Sequence, residues 1–400
     1  MTKPATRLML FLGSGISLPT GLPSTEEITR AALEEDWRSH SDGRFYRGPE
    51  LNPALAEQNT VLRIQPFLML LKQRADRYFQ AKRLPVANYE DIYYLAKQLA
   101  EEAELSRLNP AIGPFFSDIK TQCESLCQPL PLTQEEFDFI RLSSEACTFI
   151  ESVLQCVLWC KKEPKGLTLV VDLARNLAFQ GLNIVTLNHD SLVEQVLEAA
   201  HVDFADGFLP PDGDLRFYDP SILDAPANTK LLKLHGSLSW RWVRVSEHGE
   251  FRDCYAKVAG GQPQFRKTAS GIRIEHESPS ELMVGTLNKL YDYHFGIISD
   301  LLVHFHRELA VTDTIIMSGY GWGDFAVNGW LKNWLLGSPN RRIVLLHQDP
   351  EGAVRDKAGS GIFPTDYHAW IKDKRLILIR KWLCDTSLRE IEPFVSDHPA

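Results

Sequence analysis

Three apolar segments of the chain end in the same way, and this repeated pattern constrains the fold more than any other sequence feature. Each is a short run of aliphatic residues followed at once by small or polar residues. The segments are Arg7–Gly15 (RLMLFLGSG), Leu182–Ser191 (LNIVTLNHDS) and Lys230–Ser237 (KLLKLHGS). Apolar runs of this length are typical of parallel strands buried on both faces. Because ligands bind at the carboxyl ends of such strands, we expect the three ends to meet at one nucleotide.

Strand and helix patterns alternate along the second half of the chain. Strands are predicted at 182–187, 231–234, 314–318, 342–347 and 375–379, after the first strand at 7–12. Helices are predicted at 167–180, 191–200, 291–309 and 325–336, with a short one near the C-terminus. This rhythm predicts an α/β fold, a Rossmann-like parallel sheet with helices on both faces.

Residues 26–165 have a different, helical pattern, and we find no convincing strand among them. Helices are predicted at Leu55–Phe79, Asn88–Leu105 and Thr133–Cys160, the last opened by a Thr133/Glu136 capping box. We therefore predict a large α-helical insertion after the first strand-helix unit. The predicted domains are a discontinuous catalytic domain at 1–25 and 166–385, the insertion at 26–165, and a C-terminal helix and tail at 386–400.

Three other segments have recognisable local patterns. Ser24 and Glu27 form a capping box, which predicts a helix beginning there. Residues 206–228 are rich in Pro, Asp and Gly, which favours a long functional loop. Residues 239–279 are poorly periodic, and the most we predict there is a small hairpin.

Composition excludes several classes of function. The net charge is -9 and no long basic run is present, so we expect no direct nucleic-acid binding. No apolar run is long enough to span a bilayer, which predicts a cytoplasmic protein without a membrane segment. Seven cysteines at irregular spacing fit a reducing compartment. The pairs Cys123/Cys127 and Cys156/Cys160 could place two thiols on one helix face, but we favour buried thiols and expect no metal.

The polar strand ends carry the candidate chemistry. Gly13-Ser14-Gly15 follows a strand, as phosphate-binding loops do, although Leu18 stands where a dinucleotide fingerprint has its third glycine. Asn188 and His235 each have a structural alternative. Asn188 or Asp190 could cap the next helix, and a single His is often structural. Both lie at strand ends beside a glycine loop, which favours a binding or catalytic site.

These motifs together resemble the sirtuins. GSGISLPTGLP at 13–23 looks like the GAGxSxxxGxP loop of that family, TLNHD at 186–190 looks like its TQNxD strand end, and LHGS at 234–237 looks like its catalytic LHG. The three motifs occur in the family's order. Gly319-Tyr320-Gly321 follows a late strand where the family binds the adenosine ribose.

Two departures from the sirtuin pattern change the activity that we expect. Pro23 is followed by Ser24-Thr25-Glu26, which lacks the FR of GxPxFR, and only Cys254 and Cys384 follow His235 where deacylases have a four-cysteine zinc module. Because that module helps to form the peptide cleft, water becomes the more plausible acceptor. The chain thus resembles the sirtuin-like NAD hydrolases of bacterial antiphage defence, most of all the partner of a HerA-type ATPase.

That resemblance implies roles for individual residues. Asn188 would bind the ribose and orient water, Asp190 would contact the carboxamide, and His235 would act as general base on the ribose hydroxyls. The residues implied in binding NAD, as substrate, are Gly13, Ser14, Gly15, Ser17, Gly21, Asn188, Gly319 and Tyr320. The resemblance also implies abortive infection by NAD loss, a homo-oligomer and gating by assembly.

Other function classes remain open. A protein deacylase or an ADP-ribosyltransferase would keep Asn188 and His235 but would need a groove for an acceptor peptide. A non-catalytic NAD or ADP-ribose sensor would need neither side chain. A structural scaffold would explain the helices but not three polar strand ends.

Overall fold

A computed structural model of the chain describes residues 7–40, 44–48, 58–101, 112–131, 134–159, 163–176, 181–247, 249–258, 268–357, 363 and 367–395. The chain divides into two compact units. Unit 1 comprises Met1–Leu22, Cys160–Met283 and Leu290–Ala400, and unit 2 comprises Pro23–Trp159 and Val284–Lys289. No helix of the described residues combines the length and apolar character needed to cross a bilayer.

The strands, in chain order, are β1 Leu8–Leu12, β2 Trp37–Ser39, β3 Phe45–Arg47, β4 Leu182–Thr186, β5 Leu215–Phe217, β6 Thr229–Lys233, β7 Gly236–Glu247, β8 Glu250–Val258, β9 Arg273–Leu282, β10 Thr314–Ser318, β11 Arg342–Leu346 and β12 Leu376–Ile379. The helices of unit 1 are Thr168–Arg175, Leu192–Ala199, Ser221–Asp224, Gly296–Val311, Phe325–Leu336, Pro350–Arg355, His368–Lys372 and Leu388–Val395. The short helix Lys289–Asp292 precedes Gly296–Val311.

Unit 1 is built on a parallel sheet of six strands, in the order β12-β11-β10-β1-β4-β6. In chain order this is the 3-2-1-4-5-6 arrangement of the Rossmann fold, so the predicted α/β fold class is confirmed. Alternate side chains of β1 enter different cores, with Met9 and Phe11 on one face and Leu8, Leu10 and Leu12 on the other. All five are fully buried, as expected for a central strand with helices on both faces.

The second sheet of unit 1 is larger than the sequence predicts. Four antiparallel strands, in the order β5-β8-β7-β9, occupy the region where only a small hairpin was expected. β7 pairs with β8 without a register shift from Trp240 to Glu247, but Trp240 enters one core and Val243 and Val245 enter another. The apolar alternation therefore changes phase along the strand, and the sequence pattern of one long strand is lost. The predicted long loop at 206–228 also contains regular secondary structure, namely β5 and the helix Ser221–Asp224.

Unit 2 is mainly helical, with helices Thr25–Glu34, Val61–Ala81, Tyr89–Ala100, Ile112–Gln122 and Phe139–Leu158. The predicted capping box is confirmed, because Ser24 accepts from the Glu27 N–H and Glu27 accepts from the Ser24 N–H. The expectation of no strand here is wrong, since β2 and β3 form a short hairpin that buries Trp37.

Two local predictions in unit 2 fail or fall outside the described residues. The last helix begins at Phe139 with Asp138 as its N-cap, and Thr133 of the predicted capping box lies outside the described residues, as does Cys160. Cys123 and Cys127 do not share a helix, because a 3-10 turn separates them. Among the described residues no group of three or more metal-ligating side chains occurs.

Candidate active site

The carboxyl ends of four neighbouring strands lie in register at one edge of the parallel sheet. Leu12 pairs with Thr186 on one side and Ser318 on the other, and Thr186 pairs with Lys233. The residues two positions beyond these pairs are Ser14, Asn188, His235 and Tyr320. The sheet therefore places one predicted site residue at each of four adjacent strand ends. The order of strands reverses between β1 and β10, where Rossmann folds bind their ligands.

Two loops follow the central strands, 13–15 after β1 and 319–321 after β10. Close packing of their backbones requires glycine at three positions. The Gly13 N–H donates to the Ser318 carbonyl oxygen (3.0 Å), and the Gly15 N–H donates to the Gly319 carbonyl oxygen (3.0 Å). A Cβ on Gly13 would lie 2.5 Å from that Gly319 oxygen, and one on Gly319 would lie 2.6 Å from the Ile16 nitrogen. Gly319 also has a φ of +69°, which side-chain-bearing residues rarely adopt. These contacts hold the loop and its 3-10 helix, Ser14–Thr20, against the end of β10.

Asn188 is buried, and its amide orientation is fixed by the glycine loop. Its Nδ2 donates to the Gly13 carbonyl oxygen and to Ser17 Oγ, both at 3.1 Å. Its Oδ1 is buried and accepts no hydrogen bond from the described residues. A buried carbonyl oxygen without a donor is costly, and in native proteins it commonly marks a place where a ligand or water binds.

Asp190 is engaged by protein groups through both carboxylate oxygens. Ser17 Oγ donates to Oδ2 (2.8 Å) and the Leu192 N–H donates to Oδ1 (3.1 Å), so Asp190 supports the start of the following helix. Burial raises the pKa of the Asp190 carboxyl, and the Lys233 ammonium opposes that rise. Lys233 is itself buried, donates to the Asp190 carbonyl oxygen and forms a 3.2 Å ion pair with Glu194.

His235 lies in a buried cluster with Tyr293 and Asp324, which are not among the predicted site residues. Its Nε2 is 2.9 Å from Tyr293 Oη and 3.0 Å from Asp324 Oδ2. Tyr293 Oη donates to the same Asp324 oxygen at 2.8 Å. The His189 ring lies 6.2 Å from the His235 ring, between centroids.

The two missed residues differ in how visible they are in the sequence. Asp324 ends the GYGWGD loop and directly precedes a helix, which is the N-cap position, so a signal was present. Tyr293 falls in a segment whose sequence predicts one helix from Tyr291 to Leu309. The structure breaks that helix and restarts it at Gly296, where φ is +55°.

Of the remaining predicted residues, Tyr320 and Gly21 have structural roles at this edge or near it. The Tyr320 hydroxyl donates to Asn328 Oδ1 (2.9 Å), and its ring packs on Phe11 with centroids 5.3 Å apart. Gly21 ends the 3-10 helix with a φ of 84°, farther along the chain from the strand end. Ser14 is exposed.

A cavity of about 150 Å³ lies beside the glycine loop and was not anticipated. Its lining includes Gly15 and Ser318, from the two central strand ends, together with Trp382 and Cys384. The Trp382 ring packs on His347, which directly follows β11, at 4.6 Å between centroids. The carboxyl edge of the sheet therefore combines polar groups at Asn188 and His235 with an apolar cavity next to the glycine loop.

Fold and site together define a Rossmann-type α/β protein with a candidate active site at the carboxyl edge of its sheet. The model of the family described as the SIR2-like domain matches residues 182–364. This range holds the Asn188 and His235 strand ends and the late glycine loop. No curated protein matches the chain.

Similar solved structures include three described as Sir2 proteins. A Sir2 homologue in complex with NAD is 14% identical, covers 97% of this chain and 90% of its own, and has a TM-score of 0.33. A complex described as Sir2, p53 peptide and NAD⁺ is 11% identical, with coverage of 97% and 93% and a TM-score of 0.36. A mutant Sir2 homologue with ADP-ribose is 13% identical, with coverage of 94% and 87% and a TM-score of 0.31.

Proposed function

We propose that this protein hydrolyses NAD⁺ at the bond between nicotinamide and ribose. The observation that carries the proposal is the unpartnered Oδ1 of Asn188, buried at a strand end next to the one that bears His235. A hydroxyl group or a water molecule can donate to this oxygen, and a base on the neighbouring strand can then accept a proton. The matched SIR2-like domain model covers both residues and supports an NAD-utilising activity.

The residues at the sheet edge fit the parts of NAD⁺. Ser14 is exposed at the start of the 3-10 helix, where its hydroxyl can contact the pyrophosphate. Gly13, Gly15 and Gly319 have no side chains, so the two loops that carry them can pack closely against each other. The apolar cavity beside Gly15 and Trp382 has the character expected for an adenine site. Gly21 ends the 3-10 helix of the first loop, and Tyr320 lies in the second loop, after β10.

The proposed reaction consumes one water for each NAD⁺. The C–N bond to nicotinamide breaks as positive charge develops on the ribose, water adds to the same carbon, and ADP-ribose, nicotinamide and one proton result. Asn188 orients the ribose hydroxyl or the water through Oδ1, and His235 accepts a proton from that group. Asp190 holds Ser17 and through it the amide of Asn188; its proposed contact with the carboxamide adds to this role.

The test is to incubate purified protein with NAD⁺ and separate the products by chromatography. We expect equal amounts of nicotinamide and ADP-ribose, and a loss of about 100-fold or more in Asn188→Ala and in His235→Ala. Asn340→Ala and His368→Ala change exposed residues of the same types and should retain full activity. Thermal unfolding of all four variants separates a catalytic effect from misfolding. Hydrolysis unchanged in the first two variants would contradict the assignment.

The same chromatograms distinguish the alternative activities. Nicotinamide released only when an acyl-lysine peptide is present would identify a deacylase, and transfer of ADP-ribose to protein would identify a transferase. Tight NAD⁺ binding without nicotinamide release would identify a sensor. Each of these results would replace the hydrolase proposal.

The wider role belongs to the same proposal. We take 1–25 and 166–385 as the catalytic domain, 26–165 as a helical insertion and 386–400 as a tail. The protein would act in the cytoplasm as a homo-oligomer, gated by a HerA-type ATPase, and would deplete NAD during phage infection. Gating is required because unrestrained NAD loss would kill the host. Light scattering and NAD⁺ turnover, measured with and without the ATPase, test this; a fully active monomer would contradict it.

A further inference from the structure

The contacts of His235 form a closed and buried triangle. His235 Nε2, Tyr293 Oη and Asp324 Oδ2 lie 2.8 to 3.0 Å from one another. The exposed fractions of the three residues are 5%, 1% and 6%. Each comes from a different part of unit 1, namely the end of β6, the segment before Gly296–Val311 and the start of Phe325–Leu336.

The two oxygens of Asp324 have separate partners. Oδ1 accepts from the Val327 N–H at 3.0 Å and so caps the helix, while Oδ2 faces His235 and Tyr293. The positive end of the helix dipole favours a carboxylate at this position. Helix capping therefore fixes the direction in which the second oxygen points.

We propose that Asp324 is the positioning residue of His235, with Tyr293 completing the arrangement; this inference rests on the proposed hydrolase function. An ionised Oδ2 can only accept, so it accepts hydrogen bonds from the Tyr293 hydroxyl and from the Nε2–H of His235. The neutral imidazole then carries its basic lone pair on Nδ1. A proton from the ribose hydroxyl or water moves to Nδ1, the carboxylate stabilises the resulting imidazolium, and the proton later leaves to solvent.

Asp324→Asn separates orientation from simple packing. The Val327 N–H requires an acceptor, so the amide oxygen of the new side chain stays at the cap, and Asn is itself a good N-cap. Its NH₂ group then occupies the place of Oδ2 and donates toward His235 Nε2. The imidazole proton is forced to Nδ1, which is the wrong tautomer for the proposed base.

The first readout is the tautomer, seen by NMR of protein labelled with ¹⁵N-histidine, with His235 assigned through His235→Gln. We expect the proton on Nε2 in the wild type and on Nδ1 in Asp324→Asn. The second readout is kinetic. We expect kcat to fall about 100-fold or more while KM stays within a few-fold, because substrate binding does not use this carboxylate. Tyr293→Phe keeps the wild-type tautomer and loses up to about 10-fold in kcat.

Asp138→Asn is the matched control. Asp138 also caps a helix, accepting from the Arg141 N–H at 2.7 Å, but its helix is in unit 2. It should leave both readouts unchanged. A wild-type His235 protonated on Nδ1, or an unchanged tautomer and kcat in Asp324→Asn, would overturn the inference. A wild type that releases no nicotinamide overturns the proposed function instead, and the tautomer still decides the role of Asp324.

Discussion

The Ser17 hydroxyl donates a 2.8 Å hydrogen bond to Asp190 Oδ2, joining residues 173 positions apart in the chain. The same hydroxyl accepts from Asn188 Nδ2 at 3.1 Å. Because a hydroxyl has one proton, donating it to Asp190 leaves only acceptor capacity toward Asn188. Ser17 therefore selects the amide orientation in which the Asn188 Oδ1 is directed away from the loop's donors.

We predict that Ser17→Ala lowers both stability and activity. The change leaves Asp190 Oδ2 without its donor and Asn188 Nδ2 with one acceptor fewer, and a buried group left unsatisfied costs about 1–3 kcal/mol. We expect kcat for NAD⁺ hydrolysis to fall about 10-fold as the amide loses its fixed orientation. Urea unfolding and steady-state kinetics measure the two effects. Ser144→Ala, at an exposed helical serine, is the control and should lower neither.

We predict that Asp190 makes the protein less stable as the pH rises. Burial raises the pKa of this carboxyl above its ordinary value. The folded state then binds more protons than the unfolded state between the ordinary Asp pKa, about 3.9, and the higher folded value, so the free energy of unfolding falls with pH in that window. Below the ordinary pKa the carboxyl is protonated in both states and the penalty vanishes.

Asp190→Asn isolates this effect. Asn keeps an oxygen for the Leu192 N–H and cannot ionise, so the pH-dependent penalty should disappear. Urea unfolding of both proteins from pH 4 to pH 8 gives a wild-type minus variant difference in which titrating groups that do not interact with Asp190 cancel. We expect this difference to fall as the pH rises. A difference that is constant, or that rises with pH, would show that the pKa is not raised.

We predict opposite effects for alanine at two glycines. Gly319→Ala should destabilise the protein by more than about 1 kcal/mol, because φ is +69° and the new Cβ would meet the Ile16 nitrogen at 2.6 Å. Gly329 is exposed within the helix Phe325–Leu336, and a Cβ there meets no atom within 4 Å. Gly329→Ala should therefore stabilise by about 0.5–1 kcal/mol. Thermal unfolding decides, and equal shifts would contradict the packing argument.

The parallel sheet could be predicted because its signal is local. Each buried strand is a short apolar run, and a polar residue after it marks the strand end, which is how Asn188 and His235 were selected. The strand Thr314–Ser318 and the helix Phe325–Leu336 have the predicted bounds. Pairing in register then brings the strand ends together without any further information from the sequence.

What the sequence could not predict depends on tertiary contacts. The sequence around Tyr293 has a helical pattern. Only the contacts of Tyr293 with His235 and Asp324 show that it belongs to the candidate site. The antiparallel sheet was missed because β7 buries one face at Trp240 and the other at Val243 and Val245, so its two-residue alternation changes phase. The hairpin β2–β3 has three residues in each strand, too few for a periodic pattern. Lys233 was missed because the sequence does not show that this Lys is buried and paired with Glu194.

We predict that Lys233 and Glu194 depend on each other energetically. Both side chains are at least 97% buried and lie 3.2 Å apart, so removing one leaves an uncompensated charge. Lys233→Met should cost about 3 kcal/mol. Lys257, 3.8 Å from Glu194, compensates only part of that charge.

A double-mutant cycle measures this dependence. Lys233→Met combined with Glu194→Gln should be more stable than Lys233→Met alone, because the charge left unpaired by the first change is gone. Additive losses in urea unfolding would contradict the coupling. Lys233 also donates to the Asp190 carbonyl oxygen, so Lys233→Met should lower the activity even where the double variant regains stability. Stability restored without activity would show that this strand end needs Lys233 for its geometry as well as for its charge.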